Sequence, residues 1–256
     1  MNEENTNLEE INSEDPLQNE QLSTADAMSG VITSPAETFE TIAVTPKKNY
    51  WLLPVLICAL IGLATSFLFM RDAELVDKTM EKQKKKMMEK FEQNIKDGKM
   101  TQEQVDKAME SMNPKGMFFK IMGFGGAIVG PFIILLLLSV IYLIALKIFK
   151  AEFEFTNILN VVGLAMLIAA IGNLISMVVS ILKGDFSTIG PGLLFSEAAV
   201  GEKTYSLLTK IDVFSIWYYF VIAIGLSKIG KISFVQSASV VFGVWIVYIF
   251  VSSFAF

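Results

Sequence analysis

This sequence predicts an all-α polytopic membrane protein: a bundle of five transmembrane helices, with an extramembrane helical hairpin inserted after the first. Two long apolar segments, 121–149 and 158–182, carry the prediction. Each exceeds the run of about 20 apolar residues that a helix needs to cross the hydrocarbon core. Neither holds a charged side chain before Lys147, near the end of the first. The link Lys150-Ala151-Glu152-Phe153-Glu154 is so short that the two segments must run antiparallel. The third observation is compositional. The chain is 53% hydrophobic with a mean hydropathy of +0.52, against about 45–50% apolar for soluble domains, and the excess is gathered into runs.

Composition also narrows the chemistry. A net charge of −5 leaves no surplus basic face for nucleic acid. The absence of histidine removes Ser-His-Asp triads, histidine zinc sites and histidine pH switches. The single cysteine, Cys58, sits in an apolar run and forms no intrachain disulfide. No cofactor or metal is implied.

Residues 1–27 carry eight carboxylates and no basic residue. They read as a disordered acidic tail, with partner binding as the alternative role, and do not resemble a signal peptide. Residues 28–256 form the membrane domain. Ser34-Pro35-Ala36-Glu37 has capping-box spacing with proline at the first helical position, followed by Phe39, Ile42 and Ala43 at helical steps. A short amphipathic helix on the membrane surface, or one packed on the bundle, is expected here. The first span covers about 51–70, with Tyr50 and Trp51 as an interfacial aromatic belt and Arg71-Asp72 at its far end.

The composition then changes abruptly. Residues 73–112 are dense in Lys, Glu, Gln and Met, with Val76, Met80, Met87, Phe91 and Ile95 forming a narrow apolar stripe. Asp97-Gly98 breaks this helix. Thr101 and Gln104 resemble a second capping box, from which Val105, Ala108, Met109 and Met112 continue a stripe to Asn113-Pro114. The expected product is a helical hairpin outside the hydrocarbon. Its methionines pack it on itself or take a partner helix.

The second span, 121–149, opens with a glycine cluster in which Gly126 and Gly130 form a GxxxG pair that permits close helix approach. Pro131 follows, and a neighbouring group must satisfy the carbonyl it frees. The third span, 158–182, places Ala165, Ala169, Gly172, Asn173, Ser176 and Ser180 on one helical face. This is a packing stripe, with Asn173 as an interhelical hydrogen-bonding group. A loop over 183–210 follows. The fourth span covers about 211–226 with Asp212 at its start, where a carboxylate favours the helix dipole. The fifth covers about 234–254. Lysines flank the N-terminal side and the second and fourth loops, which places the N-terminus in the cytoplasm. The twelve basic residues between Arg71 and Lys120 oppose that orientation.

The stretch Ser34-Pro35-Ala36-Glu37-Thr38-Phe39-Glu40-Thr41-Ile42 resembles the pre-membrane motif of bacterial members of the Yip domain (Ypt/Rab-interacting) family. Asp212-Val213-Phe214-Ser215-Ile216-Trp217 with Ile224-Gly225-Leu226 resembles the start and end of that family's fourth span. The resemblance covers roughly 29–250. It implies five spans with a cytoplasmic N-terminus. In eukaryotic relatives it implies Golgi or endoplasmic-reticulum location, contact with Rab-type GTPases, and roles in vesicle trafficking or membrane shaping. The aspartate-leucine-tyrosine-glycine-proline motif of that branch is absent around Tyr50–Pro54, which argues against a Rab-type partner and points to a bacterial-type member in the cytoplasmic membrane. The hairpin over 73–112 is an insertion relative to the compact family core.

The function expected is that of a non-enzymatic scaffold or membrane-organising protein. Its partners are the lipid bilayer, a second copy or another membrane protein. Gly126, Gly130, Ala169, Gly172, Asn173 and Ser176 are the helix-packing candidates. The alternative is a transporter or channel for a small neutral or lipid-like solute, its path lined by Asn160, Asn173, Ser176 and Ser180. No paired acids, and no serine with a base, stand at bilayer depth to suggest an intramembrane enzyme.

Overall fold

A computed structural model describes residues 21–45, 47–111, 113–114, 116–150 and 153–254. Most of the acidic tail expected over 1–27 therefore lies outside the described residues. Every regular element among the described residues is helical.

Five helices are long and apolar enough to cross a membrane: α3 (Leu52–Arg71), α6 (Met117–Leu146, extended by a 3₁₀ turn to Phe149), α7 (Phe155–Lys183), α10 (Val213–Gly230) and α11 (Phe234–Phe254). The most buried is α7, which touches α3, α6 and α10. Close approach explains part of this. A Cβ on Gly163 would stand 2.6 Å from Trp51, and one on Gly172 would stand 2.5 Å from Phe214. Small residues thus let α3 and α10 press against α7, as is usual where lipid is as apolar as leucine.

Ahead of the first span the chain forms two helices, α1 (Thr24–Thr33) and α2 (Pro35–Val44), where one was expected. Ser23 caps α1 by accepting from the Asp26 N–H at 3.0 Å. Ser34 makes no side-chain cap for α2, so the capping box expected at 34–37 does not close. Thr38 instead donates its hydroxyl to the Ser34 carbonyl. Both helices pack on the bundle. Ala27, Val31 and Phe39 are fully buried, and Phe39 lies against Gly225 of α10. Tyr50 and Trp51 do not form the expected lipid-facing belt. Tyr50 is 1% exposed and donates its hydroxyl to the Leu22 carbonyl, while Trp51 fills the space at Gly163.

The charged stretch folds as α4 (Ala73–Lys96) and α5 (Gln102–Ser111). Asp72 caps α4 through the Leu75 N–H, and Gly98 turns the chain at φ +69°. The expected box at α5 closes in both directions, Gln104 N–H to Thr101 Oγ1 and Thr101 N–H to Gln104 Oε1. Val76, Met80, Phe91 and Val105 are buried, so much of the apolar stripe is covered within the chain. The segment expected as a loop over 183–210 contains two short helices, α8 (Glu197–Val200) and α9 (Glu202–Thr209).

Contacts between loops divide the molecule into two ends. At one end Lys47 pairs with Glu154 at 2.7 Å, and Lys228 pairs with Glu40. At the other, Lys78 donates to the Gly184 carbonyl at 2.9 Å, Lys82 pairs with Asp185 and Glu197, and Lys210 donates to Ser253 at 2.7 Å. The N-terminal helices thus share an end with the second and fourth loops. α4, the third loop and the end of α11 share the opposite one, as five crossings require.

Candidate functional site

The polar residues of α7 divide into those that hold the bundle together and those that do not. Asn160 is 2% exposed. Its Oδ1 accepts from the N–H groups of Tyr50 and Trp51 at 2.8 and 3.2 Å, and its amide donates to the Lys48 carbonyl at 2.8 Å. It therefore satisfies the entry to α3, where Trp51 supplies no side-chain cap. Ser180 accepts from the Ser187 N–H at 2.9 Å and donates to the Ser176 carbonyl, pinning the loop that follows α7. Gly172 receives Phe214. On α10, Asp212 caps its own helix by accepting from the Phe214 and Ser215 N–H groups. The single face expected over 165–180 therefore meets three different surroundings: α10, the third loop and a cavity.

Ala169 and Asn173 line that cavity, as do Gly126 and Gly130 of α6. Its volume is about 510 Å³, within the range of about 300–1,000 Å³ common for small-molecule sites. Part of the lining is built of small residues, Gly62, Gly126, Gly130, Ala169 and Ala170. The lining is also aromatic: the rings of Tyr218 and Tyr219 stand 4.8 Å apart, and Trp245 of α11 lies 4.9 Å from Tyr219. Cys58 and Met166 line it too, both buried. No Asp, Glu, Lys or Arg lines the cavity. Every lining residue belongs to a membrane-crossing helix, and Ile134, Leu137 and Tyr248 among them are about half exposed within their spans, where the surrounding medium is the bilayer.

Gly126 and Gly130 of α6 differ from Gly62, Gly163, Gly172 and Gly225, and share their openness with Gly125 and with Gly243 of α11, while Gly123 meets Met70. A Cβ added to Gly126 or Gly130 would meet no heavy atom within 4 Å among the described residues, whereas one on Gly62 would stand 3.2 Å from the Ala127 carbonyl oxygen. That carbonyl is the one Pro131 deprives of its donor, four residues on. The GxxxG pair therefore borders the cavity mouth and receives no helix of this chain. Asn173 is exposed on the same cavity, and Ser176 is partly buried with its carbonyl engaged by Ser180.

Of the predicted site residues, the fold brings Gly126, Gly130, Ala169 and Asn173 together and assigns Gly172 and Ser176 elsewhere. Sequence reasoning missed Cys58, Met166 and the aromatic residues of the lining. One signal was available: Cys58, Ile61, Gly62 and Thr65 recur at the spacing of a single helical face. No group of three or more Cys, Asp or Glu side chains among the described residues is placed to hold a metal.

The model of the Yip1 domain matches this sequence over residues 29–255. A curated relative, "Membrane protein YknW" of Bacillus subtilis (strain 168), is 26% identical over 226 residues, a stretch covering 86% of each chain. No solved structure matches.

Proposed function

The chain belongs to the Yip1 domain family, as a bacterial-type multi-pass membrane protein, and from that premise we propose that it is a non-enzymatic scaffold. It receives a transmembrane helix of a second copy or of another membrane protein against the Gly126–Gly130 face. The observation that carries this reading is the contrast among the glycines. Gly163, Gly172 and Gly225 each admit a neighbour of this chain, and Gly126 and Gly130 admit none. Small residues four apart let a partner backbone come close enough for dispersion contacts and interhelical hydrogen bonds, the terms that drive helix association in lipid. Asn173, on the same cavity, adds an amide. The polar groups buried deepest in α7, Asn160 and Ser180, are engaged within the fold, which supports a packing role for this helix over a solute path. In this reading the protein sits in the cytoplasmic membrane with its N-terminus inside, and a Rab-type GTPase is not a partner.

The test places a photo-crosslinking amino acid at Ile133, 58% exposed on α6, in native membranes. The expected result is a discrete protein adduct that Gly126→Leu abolishes without lowering thermal stability. Monomers and lipid adducts alone, from Ile133 and from Val129, would overturn the proposal.

A further inference from the structure

The cavity has room for an occupant of definite chemistry, which enters where no partner helix covers the Gly126–Gly130 face. A mainly apolar cavity draws in little water. A gap left without atoms forfeits the dispersion contacts of its lining. The medium the cavity meets is hydrocarbon, because its exposed lining residues Ile134, Leu137 and Tyr248 lie within crossing helices. Small residues of α3, α6 and α7 and the rings of Tyr218, Tyr219 and Trp245 together line this slot. The absence of acidic and basic side chains from the lining suits an uncharged chain and gives a charged head group nothing to pair with. Thr65, one polar lining residue, donates its hydroxyl to the Gly62 carbonyl at 2.9 Å, and Asn173 and the tyrosines add other polar groups to a lining that is mainly apolar. We infer that the slot is a binding site for one acyl chain of a membrane phospholipid, which enters from the bilayer past Gly126 and Gly130 and reaches Cys58, Met166 and Tyr218 while its head group stays at the membrane surface.

The experiment uses the full-length protein in phosphatidylcholine vesicles in which a fraction of the lipid carries a diazirine midway along one acyl chain. After irradiation, labelled positions are mapped by peptide mass spectrometry. Any membrane protein is labelled on its lipid-facing surface, here at Ile133, Ile144 and Val247. The site predicts labelling also at Cys58, Met166, Ala170 and Tyr218, which are 6 to 7% exposed and closed to surrounding lipid. Ala169→Phe, which fills the slot from α7, is expected to lower the ratio of deep to surface labelling at least fivefold. Thr65→Trp, filling it from α3, serves the same purpose should Ala169→Phe fail to fold. Absence of deep labelling in the wild type, or an unchanged ratio in a folded filled variant, overturns the inference. So does deep labelling by a free diazirine fatty acid when the phospholipid gives none. Loss of protein adducts from Ile133 would count against the scaffold reading and leave this result untouched.

Discussion

Asn160 and Asn173 are the same residue type on one helix, thirteen positions apart, and the fold uses them differently. Asn160 holds three backbone groups of the segment leading into α3. Asn160→Leu would leave the Trp51 N–H unpartnered and the Tyr50 N–H and Lys48 carbonyl with only each other, at 3.2 Å, at about 1–3 kcal/mol for each buried group that finds no substitute. The expected loss is about 2–4 kcal/mol in a reversible unfolding measurement in detergent. Asn173→Leu, on the cavity, should change stability by less than about 0.5 kcal/mol. Equal losses from the two substitutions would refute the division. Asp212 allows a smaller test. Asp212→Ala removes a cap bonded to two N–H groups and should cost about 1 kcal/mol, most of it restored in Asp212→Asn.

Helix α4 leaves the membrane after Arg71 and is fastened to the third loop by Lys78 and Lys82. Burial disfavours the Lys82 ammonium, but the Asp185 and Glu197 carboxylates outweigh that cost and raise its pKa above the ordinary lysine value. The sign follows from linkage. Stabilisation by a raised lysine is fully present below the unfolded pKa of about 10.4 and disappears as pH climbs through the folded value. Between pH 6 and 9, on the order of the usual working range, the attachment should therefore be indifferent to pH and sensitive to salt. With Lys82 half exposed the pair is worth no more than about 1 kcal/mol. Hydrogen exchange over residues 184–200 should speed up in Lys82→Met at low salt, and high salt should reproduce the effect in the wild type. Exchange unaltered by both would show that α4 is held by Leu75, Val76 and Met80 alone.

For the whole molecule, the ion pairs at its two ends make a prediction about sidedness. In a Cys58→Ser background, single cysteines at 90 and 200 should react with an impermeant reagent from one face, and cysteines at 40 and 231 from the other. With the N-terminus inside, right-side-out vesicles label 90 and 200. The reverse pattern would show that the basic residues between Arg71 and Lys120 set the orientation. Labelling of 90 and 200 from opposite faces would break the five-span arrangement itself.

The number of spans, the polar segments between them and the caps at Thr101–Gln104 and Asp212 were legible in the sequence. Hydropathy over about 20 residues and hydrogen bonds within one helical turn are local quantities, so a linear reading captures them. The packing stripe on α7 and the GxxxG pair on α6 were legible as small-residue faces, but what each face meets was not. Asn160 meets a segment 110 residues away, Gly172 meets α10, and Gly126 and Gly130 meet no helix of this chain. Tyr50 read as an interfacial anchor because an aromatic residue beside an apolar run has the same local pattern whether it faces lipid or the bundle. Only the tertiary structure decided these assignments. Neighbours across a helix bundle are set by how the helices cross and rotate, and that depends on the shapes of all five at once.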